Sequence, residues 1–455
     1  MATAAFEHGS GGLQETETSM MSSMASIFDA PIYETSMVSG KTTIIHPTNT
    51  DSAGPFTFEI PKQGTQYLHL AATRVYMLLQ LEQTDGTPHV LNLALNANPA
   101  LNHQPVAPVN LIGSSLFKSI DVSVNHVLVP EFGNNYSGYK AYNETLLSYS
   151  NCAVESHLNC SRWNQDAHGH YDRLTAEPNS PFLARERTCR NSIPFELMMP
   201  LNCDFFQSDK LLMPGMHLTL TLNRAPDAFT VLADGNEQWR FKVLNIELHL
   251  RYITLKESKL KEHLAQIERM PIRFCLNKSE LKPFAQPLGD NTVRIYNMFQ
   301  NIFPKTIIIS MVRSVAFTGH QQFNPYNYQH FGLNYASLQV NSEHIPSKPY
   351  TPDWVNARYV RELREFYDNV GISDRNMGNL VTPHQYAGGC FMLAFDLTPD
   401  KCNGRHTHEK NSGVISLELR FAVPLAHHIT VLAYAIYDAD ITIDKTMHVA
   451  SAVAP

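Results

Sequence analysis

Twenty-one histidines and seven cysteines are the residues of this chain best equipped for chemistry. Imidazole and thiolate are the usual ligands of zinc and copper, and two ligands at positions i and i+2 of a strand share one face. His168 and His170 have that spacing, with Cys160 upstream, and so do His406 and His408. Both pairs sit in polar stretches, Asn164 to Ala167 before the first and Cys402 to Arg405 before the second. Such stretches read as loops, so these are taken as loop histidines. Metal binding by the His/Cys-rich stretch 152–189 stays open. His427 and His428 follow Pro424 in a turn. A set of titrating histidines would instead tune an association with pH.

Catalysis needs a constellation, and the sequence offers none. It has no GxSxG elbow, no HExxH, no glycine-rich phosphate loop and no CxxC pair. Its carboxylates are not clustered beyond what a solvated surface shows. No residue is therefore assigned a catalytic, cofactor-binding or metal role, and no cofactor or small-molecule substrate is expected. The aromatic stretch from Phe323 to Phe331 could stack bases or bind sugar. It lacks the interleaved arginines and lysines of a single-strand binder. Packing of a long loop against a neighbouring barrel or subunit suits it better, because aromatic residues dominate protein contacts.

Composition narrows the class. A chain of 455 residues exceeds one ordinary core and implies two domains. Only 17% of residues are charged, as befits a surface largely covered by neighbours. The net charge of −7 argues against a protein that neutralises phosphates with its own surface, so sequence-specific nucleic-acid binding is not expected. Residues 1–40 contain no lysine or arginine but include Glu7, Glu15, Glu17, Asp29 and Glu34. They read as a flexible or conditionally ordered arm, not a basic genome-threading tail. No signal peptide or membrane-spanning stretch is read. Cys152, Cys160, Cys189, Cys203, Cys275, Cys390 and Cys402 are odd in number and scattered, which suits free thiols in a reducing compartment. The sequons at Asn135, Asn143, Asn159 and Asn277 are then chance patterns.

The elements that carry these residues are strands. Tyr67 to Leu81 is a long apolar run closed by Asp85-Gly86. Ile120 to Val124, His217 to Leu222 and Phe241 to Leu250 alternate apolar and polar residues, as antiparallel sandwich strands do. Three helices interrupt them: Tyr139 to Tyr149, Lys256 to Arg269 and Val355 to Tyr367. The middle one carries Leu260, Leu264 and Ile267 on one side and connects two halves.

Those halves repeat one another. Lys305 to Val312 answers the Thr73 strand. Ser337 to Val340 with Asn341 answers Ser119 to Val122 with Asn125, and Gly413 to Phe421 answers Gly215 to Asn223. An aromatic-rich helix follows the strand-turn in each half. The order recurs roughly 200 residues apart, a sensible domain spacing. Domains of this size with a helix in a long loop are large for an immunoglobulin-like sandwich. They fit the eight-stranded jelly roll, and two repeats are too few for a propeller. The chain reads as all-β: a 1–40 arm, a jelly roll over 41–255, a connecting helix over 256–272, a second jelly roll over 273–445 and a 446–455 tail.

From Asn110 to Ser150 the sequence resembles the hexon-like major capsid proteins of the Polinton/Maverick and adintovirus-like group. The matching positions are Ser115 to Phe117, Ile120 to Val122, Asn125, Tyr139 to Tyr142 and Glu144 to Leu147. Further matches follow in the family's order: Ala72 to Tyr76, Asp209 to Gly215, Asn324 to Asn327, Ile345 to Pro349 and Phe395 to Asp400. Departures are Asn125-His126 where the family shows Asn-Gly, and the insertion between Cys152 and Cys189. The resemblance implies a structural, non-enzymatic double jelly roll that trimerises into pseudo-hexagonal capsomers of an icosahedral DNA-virus shell. Its implied partners are a homotrimer, neighbouring capsomers, the penton and minor capsid or cement proteins. The implied location is the virion, assembled inside the host cell in nucleus or cytoplasm. Two other readings stand beside it. One is a different jelly-roll virion component, a penton or minor protein, against which the duplication argues. The other is a β-sandwich carbohydrate-binding protein or hydrolase, which would need a pocket of convergent carboxylates and aromatics.

Overall fold

The computed structural model describes residues 36–89, 105–129, 136–175, 179–299, 302–373, 376, 378–401 and 411–452. Most of the stretch read as an arm, and His406 and His408, lie outside the described residues. Among the described residues sixteen principal strands fall into two sets of eight. The first set is β1 (Met37–Ile45), β2 (Phe56–Ile60), β3 (Gln66–Gln83), β4 (Phe117–Val124), β5 (Val127–Leu128), β6 (Phe195–Pro200), β7 (Leu218–Arg224) and β8 (Trp239–Leu255). The second is β9 (Ile272–Gln286), β10 (Thr292–Ile295), β11 (Thr306–Arg313), β12 (Leu333–Val340), β13 (Glu343–Tyr350), β14 (Met392–Asp396), β15 (Ile415–Phe421) and β16 (Ile429–Ile443).

In the first set the sheets run β1-β8-β3-β6 and β2-β7-β4-β5. In the second they run β9-β16-β11-β14 and β10-β15-β12-β13. Adding eight to each label of the first set reproduces the second. Every pairing along these paths is antiparallel. Two four-stranded sheets in this order are a jelly roll, and the chain holds two in tandem. Buried apolar residues from both form one continuous core.

The shared topology has a local cause at the β4–β5 and β12–β13 hairpins. Val124 pairs with Val127, and Val340 with Glu343, leaving two-residue loops. Asn125 and His126 have φ of 49° and 67°, Asn341 and Ser342 of 48° and 74°. Positive φ at both central residues is the type I′ turn, whose twist matches that of the strands. Asparagine tolerates it by bonding locally. Thus His126, where the resembling family has glycine, keeps the turn. Its ring stacks on His217 at 5.2 Å.

Helices α1 (Ser137–Ser148) and α2 (Ser180–Cys189) lie between β5 and β6; α3 (Glu257–Ile267) joins the barrels; α4 (Val360–Asn369) lies between β13 and β14. α4 starts five residues later than the apolar pattern suggests. Asp353 and Arg358 exchange both backbone hydrogen bonds, and Ala357 has a φ of 53°, so the chain turns there before the helix begins. α3 packs Leu260 and Ile267 against Tyr67 and Met213. Leu264, expected on that same face, remains 45% exposed. Ser36, ahead of β1, accepts a hydrogen bond from the Lys256 amide just before α3. At the other terminus a short strand, Val449–Ala452, pairs with β16.

Candidate functional site

The most elaborate chemistry of the molecule lies in the seam between the barrels. α1 places Tyr139, Tyr142 and Leu146 on one face, at spacings of three and four. That face meets the loop between β11 and β12. Tyr142 stacks on Tyr326 with centroids 4.1 Å apart and planes 7° from parallel, and meets Tyr328 edge-on at 5.8 Å. Trp163 closes its flank at 5.2 Å. Each such pair contributes about 0.5–1.5 kcal/mol beyond its buried area. Gly138 permits the approach: a Cβ there would sit 2.8 Å from the Tyr326 hydroxyl and 3.2 Å from the Ser115 Cα. Tyr328 donates to Asn143 Oδ1 at 2.8 Å, and the Leu380 amide to the Leu146 carbonyl at 3.0 Å.

Beyond α1 the seam turns polar yet stays buried. Asp166 and Arg185, each 1% exposed, form an ion pair at 2.7 Å. Asp166 also accepts from Asn179 at 2.9 Å and, across the seam, from Asn324 at 3.0 Å. Arg185 donates further to the Pro108 and Asn164 carbonyls. A buried pair is tolerable only when its polar atoms find such partners. Asp172 extends the crossing, accepting from the Asn324 amide and the Asn327 side chain. Burial holds its carboxyl above the usual range. Tyr171 donates to Gln385 at 2.9 Å and lies 2.9 Å from the Cys390 thiol. Burial pushes that thiol up to about 11, so it stays protonated and inert at neutral pH. Gly389, with φ of 135°, lies under the Tyr171 ring, where a side chain would not fit.

The opposite end of the seam is looser. Lys140 of α1 donates to Asp204 at 2.5 Å, and Asp204 accepts the amide of Ser279, on β9, at 3.0 Å. Beside them opens a cavity of about 480 Å³ lined by Thr73, Arg74, Glu144, Ser279, Tyr434 and others. Glu144 accepts from Asn202 and Gln207. Desolvation nevertheless raises its carboxyl, outweighing the attraction of Lys140, and the Asp204 charge adds to the rise. Tyr434 is held far above the ordinary phenol range, first by burial and then by the Glu144 charge.

Of the residues singled out for metal chemistry, the described ones, His168, His170 and Cys160, form no ligand group. His168 is exposed on a turn with its ring 5.5 Å from His384, while the His170 carbonyl accepts from Asn179. Cys160 is exposed. Among the described residues no group of three or more His, Cys, Asp or Glu side chains could hold a metal. The aromatic stretch is in the seam instead, with Tyr326 and Tyr328 fully buried. Sequence reasoning missed Asp166, Arg185 and Asp204. Asp166 and Arg185 sit in the insertion between β5 and β6, and no periodicity marks a polar residue that another barrel will cover. The match over Tyr139 to Tyr142 and Glu144 to Leu147 was the available signal, since it falls on the seam helix.

No known family profile matches the chain. A Caenorhabditis elegans protein without an assigned function is 22% identical over 376 residues, which is 81% of this chain and 86% of that protein. Among solved structures, a chain of the Sputnik virophage superposes with a TM-score of 0.60 at 12% identity, covering 100% of this chain and 96% of its own. A chain of the PBCV-1 virus capsid gives 0.56 at 9% identity, covering 94% and 100%. The mavirus major capsid protein gives 0.51 at 10% identity, covering 97% and 96%. The likeness therefore spans both barrels and the seam, and it is one of fold.

Proposed function

We propose that this chain is a structural major capsid protein whose three copies form a pseudo-hexagonal capsomer of an icosahedral DNA-virus shell. The observation that carries the reading is the pair of jelly rolls with one strand order, joined by a buried, hydrogen-bonded seam. Two equivalent barrels per chain let a threefold trimer present six equivalent corners. Whole-chain likeness to virophage and virus capsid structures supports the same role. The chain acts by geometry and not by turnover: the seam makes one rigid tile, and loops and terminal segments supply contacts to neighbouring capsomers, penton and minor proteins. The Polinton/Maverick assignment rests on the motif run from Ser115 to Leu147, and an animal relative of similar length is consistent with it. The virion is the corresponding location.

Light scattering and electron microscopy of the purified chain test this. A particle of three 51.3 kDa chains, or pseudo-hexagonal tiles and closed shells, is the expected result. A dilution-independent monomer that never assembles would sink it.

A further inference from the structure

Equivalent sheets of the two barrels are covered differently. In the second barrel, β11 buries every residue from Ile307 to Val312, β14 all five of its residues, and β16 every residue from Ile429 to Ala435. Both faces of that sheet are therefore closed, as continuous apolar strands require. α4 lies on β14 and supplies part of the cover. The first barrel supplies the rest, with Glu144 and Ser148 of α1 facing Tyr434 and Ile436 across the cavity.

In the first barrel the matching sheet alternates. β6 reads buried-exposed throughout, and Val75, Met77, Leu79 and Leu81 of β3 point inward. The outward row holds Tyr76, Leu78 and Met198, with Leu244 on β8; Met198 and Leu244 are 37% and 41% exposed. Tyr76 pairs with Met198 in register, and Leu78 with Glu196 and Asn245, so these residues form one patch. Glu196 and Glu247 flank it beside Leu78 and Tyr76, and Lys242 lies further along beside Gln80. An apolar centre with a charged rim is the anatomy of a protein interface.

The internal repeat says what covers it. Within the chain, the segment between β5 and β6 of barrel one meets barrel two, sharing a cavity with Tyr434 and Ile436 of that sheet and packing on Tyr326 and Tyr328. Its positional counterpart, between β13 and β14, carries Val355 and Val360, which are 94% and 72% exposed. Resting on the capsid reading, we infer that the Val355–Val360 segment of one copy docks on the Tyr76–Leu78–Met198–Leu244 face of the next. The contact is head-to-tail, joins a second barrel to a first, and repeats around the axis until three copies close the ring.

Two double variants test the assignment, Leu78→Glu with Met198→Glu and Val355→Glu with Val360→Glu. Each is expected to convert the trimer to the 51.3 kDa chain at concentrations where the wild type is fully trimeric. Thr57→Glu with Thr219→Glu, on the outer face of the other sheet, is expected to leave the trimer intact. Retention of the trimer by either of the first two variants, with an unchanged melting curve, overturns the proposed face. Should either variant misfold, amine cross-linking of the wild type decides: Lys242 is expected to link to residues 273–445 of another copy, and links confined to 41–255 overturn the proposal. A wild type that is itself monomeric would instead refute the capsid reading.

Discussion

The two ends of the inter-barrel seam solve one problem in opposite ways. At the Asp166 end, carboxylate and guanidinium are buried, and each polar atom of the ion pair has a protein partner. At the Asp204 end, a comparable pair adjoins Ser279, which lines a cavity of about 480 Å³, and Glu144 in the cavity wall holds its proton more tightly than an exposed carboxyl. The difference teaches where rigidity resides. A buried network has two states, intact or broken, because water cannot replace a lost partner. A polar cavity can admit water, so its groups tolerate loss.

Asp166→Ala should therefore have the largest effect. It leaves Arg185 charged and buried, and about 3–5 kcal/mol of stability should be lost in urea unfolding. A loss below about 1 kcal/mol would show that the Asp166 end is no more demanding than the Asp204 end. Gly138→Val tests the aromatic centre between them. Its new methyl groups would collide with Tyr326, and overpacking of this kind costs about 1–3 kcal/mol. Limited proteolysis should then show the barrels separating before either unfolds.

Asp204→Ala removes the carboxylate that ties Lys140 to the Ser279 amide. With water able to enter from the cavity, the expected loss is about 1–3 kcal/mol and smaller than for Asp166→Ala. Equal losses would erase the distinction between the two ends.

Glu144→Gln should have the smallest effect, and one that depends on pH. The folded state raises the Glu144 carboxyl, so it binds that proton more tightly than the unfolded chain does. Its contribution is fully present below the unfolded value of about 4.5. It is lost as pH rises through the folded value. The glutamine variant should thus match the wild type in acid and exceed it at pH 7 by about 1 kcal/mol or less. A variant less stable than the wild type at pH 7 would place a needed charge at that position.

How much of this was legible in the chain depends on range. The strand and turn pattern was readable because its causes are local. Alternation in Ile120–Val124 and His217–Leu222 declares one buried face, and Asn125 and Asn341 mark two hairpins of one type. The repeat, the all-β class and α1 follow from such signals, each contained within about a dozen residues. Helix α4 was displaced because the Asp353–Arg358 turn depends on backbone pairing that apolar spacing does not report.

The seam was decided by tertiary structure alone. Asp166 and Asn324 are 158 positions apart, and Asp204 and Ser279 are 75 apart. Neither pair carries a pattern, since a polar residue in a loop looks the same whether solvent or another barrel will cover it. The sequence by itself determined two similar β-sandwiches and the aromatic helix of the first. Which faces those sandwiches turn to each other, and which they leave open, was settled only when packing brought Asp166, Arg185 and Asp204 to their partners.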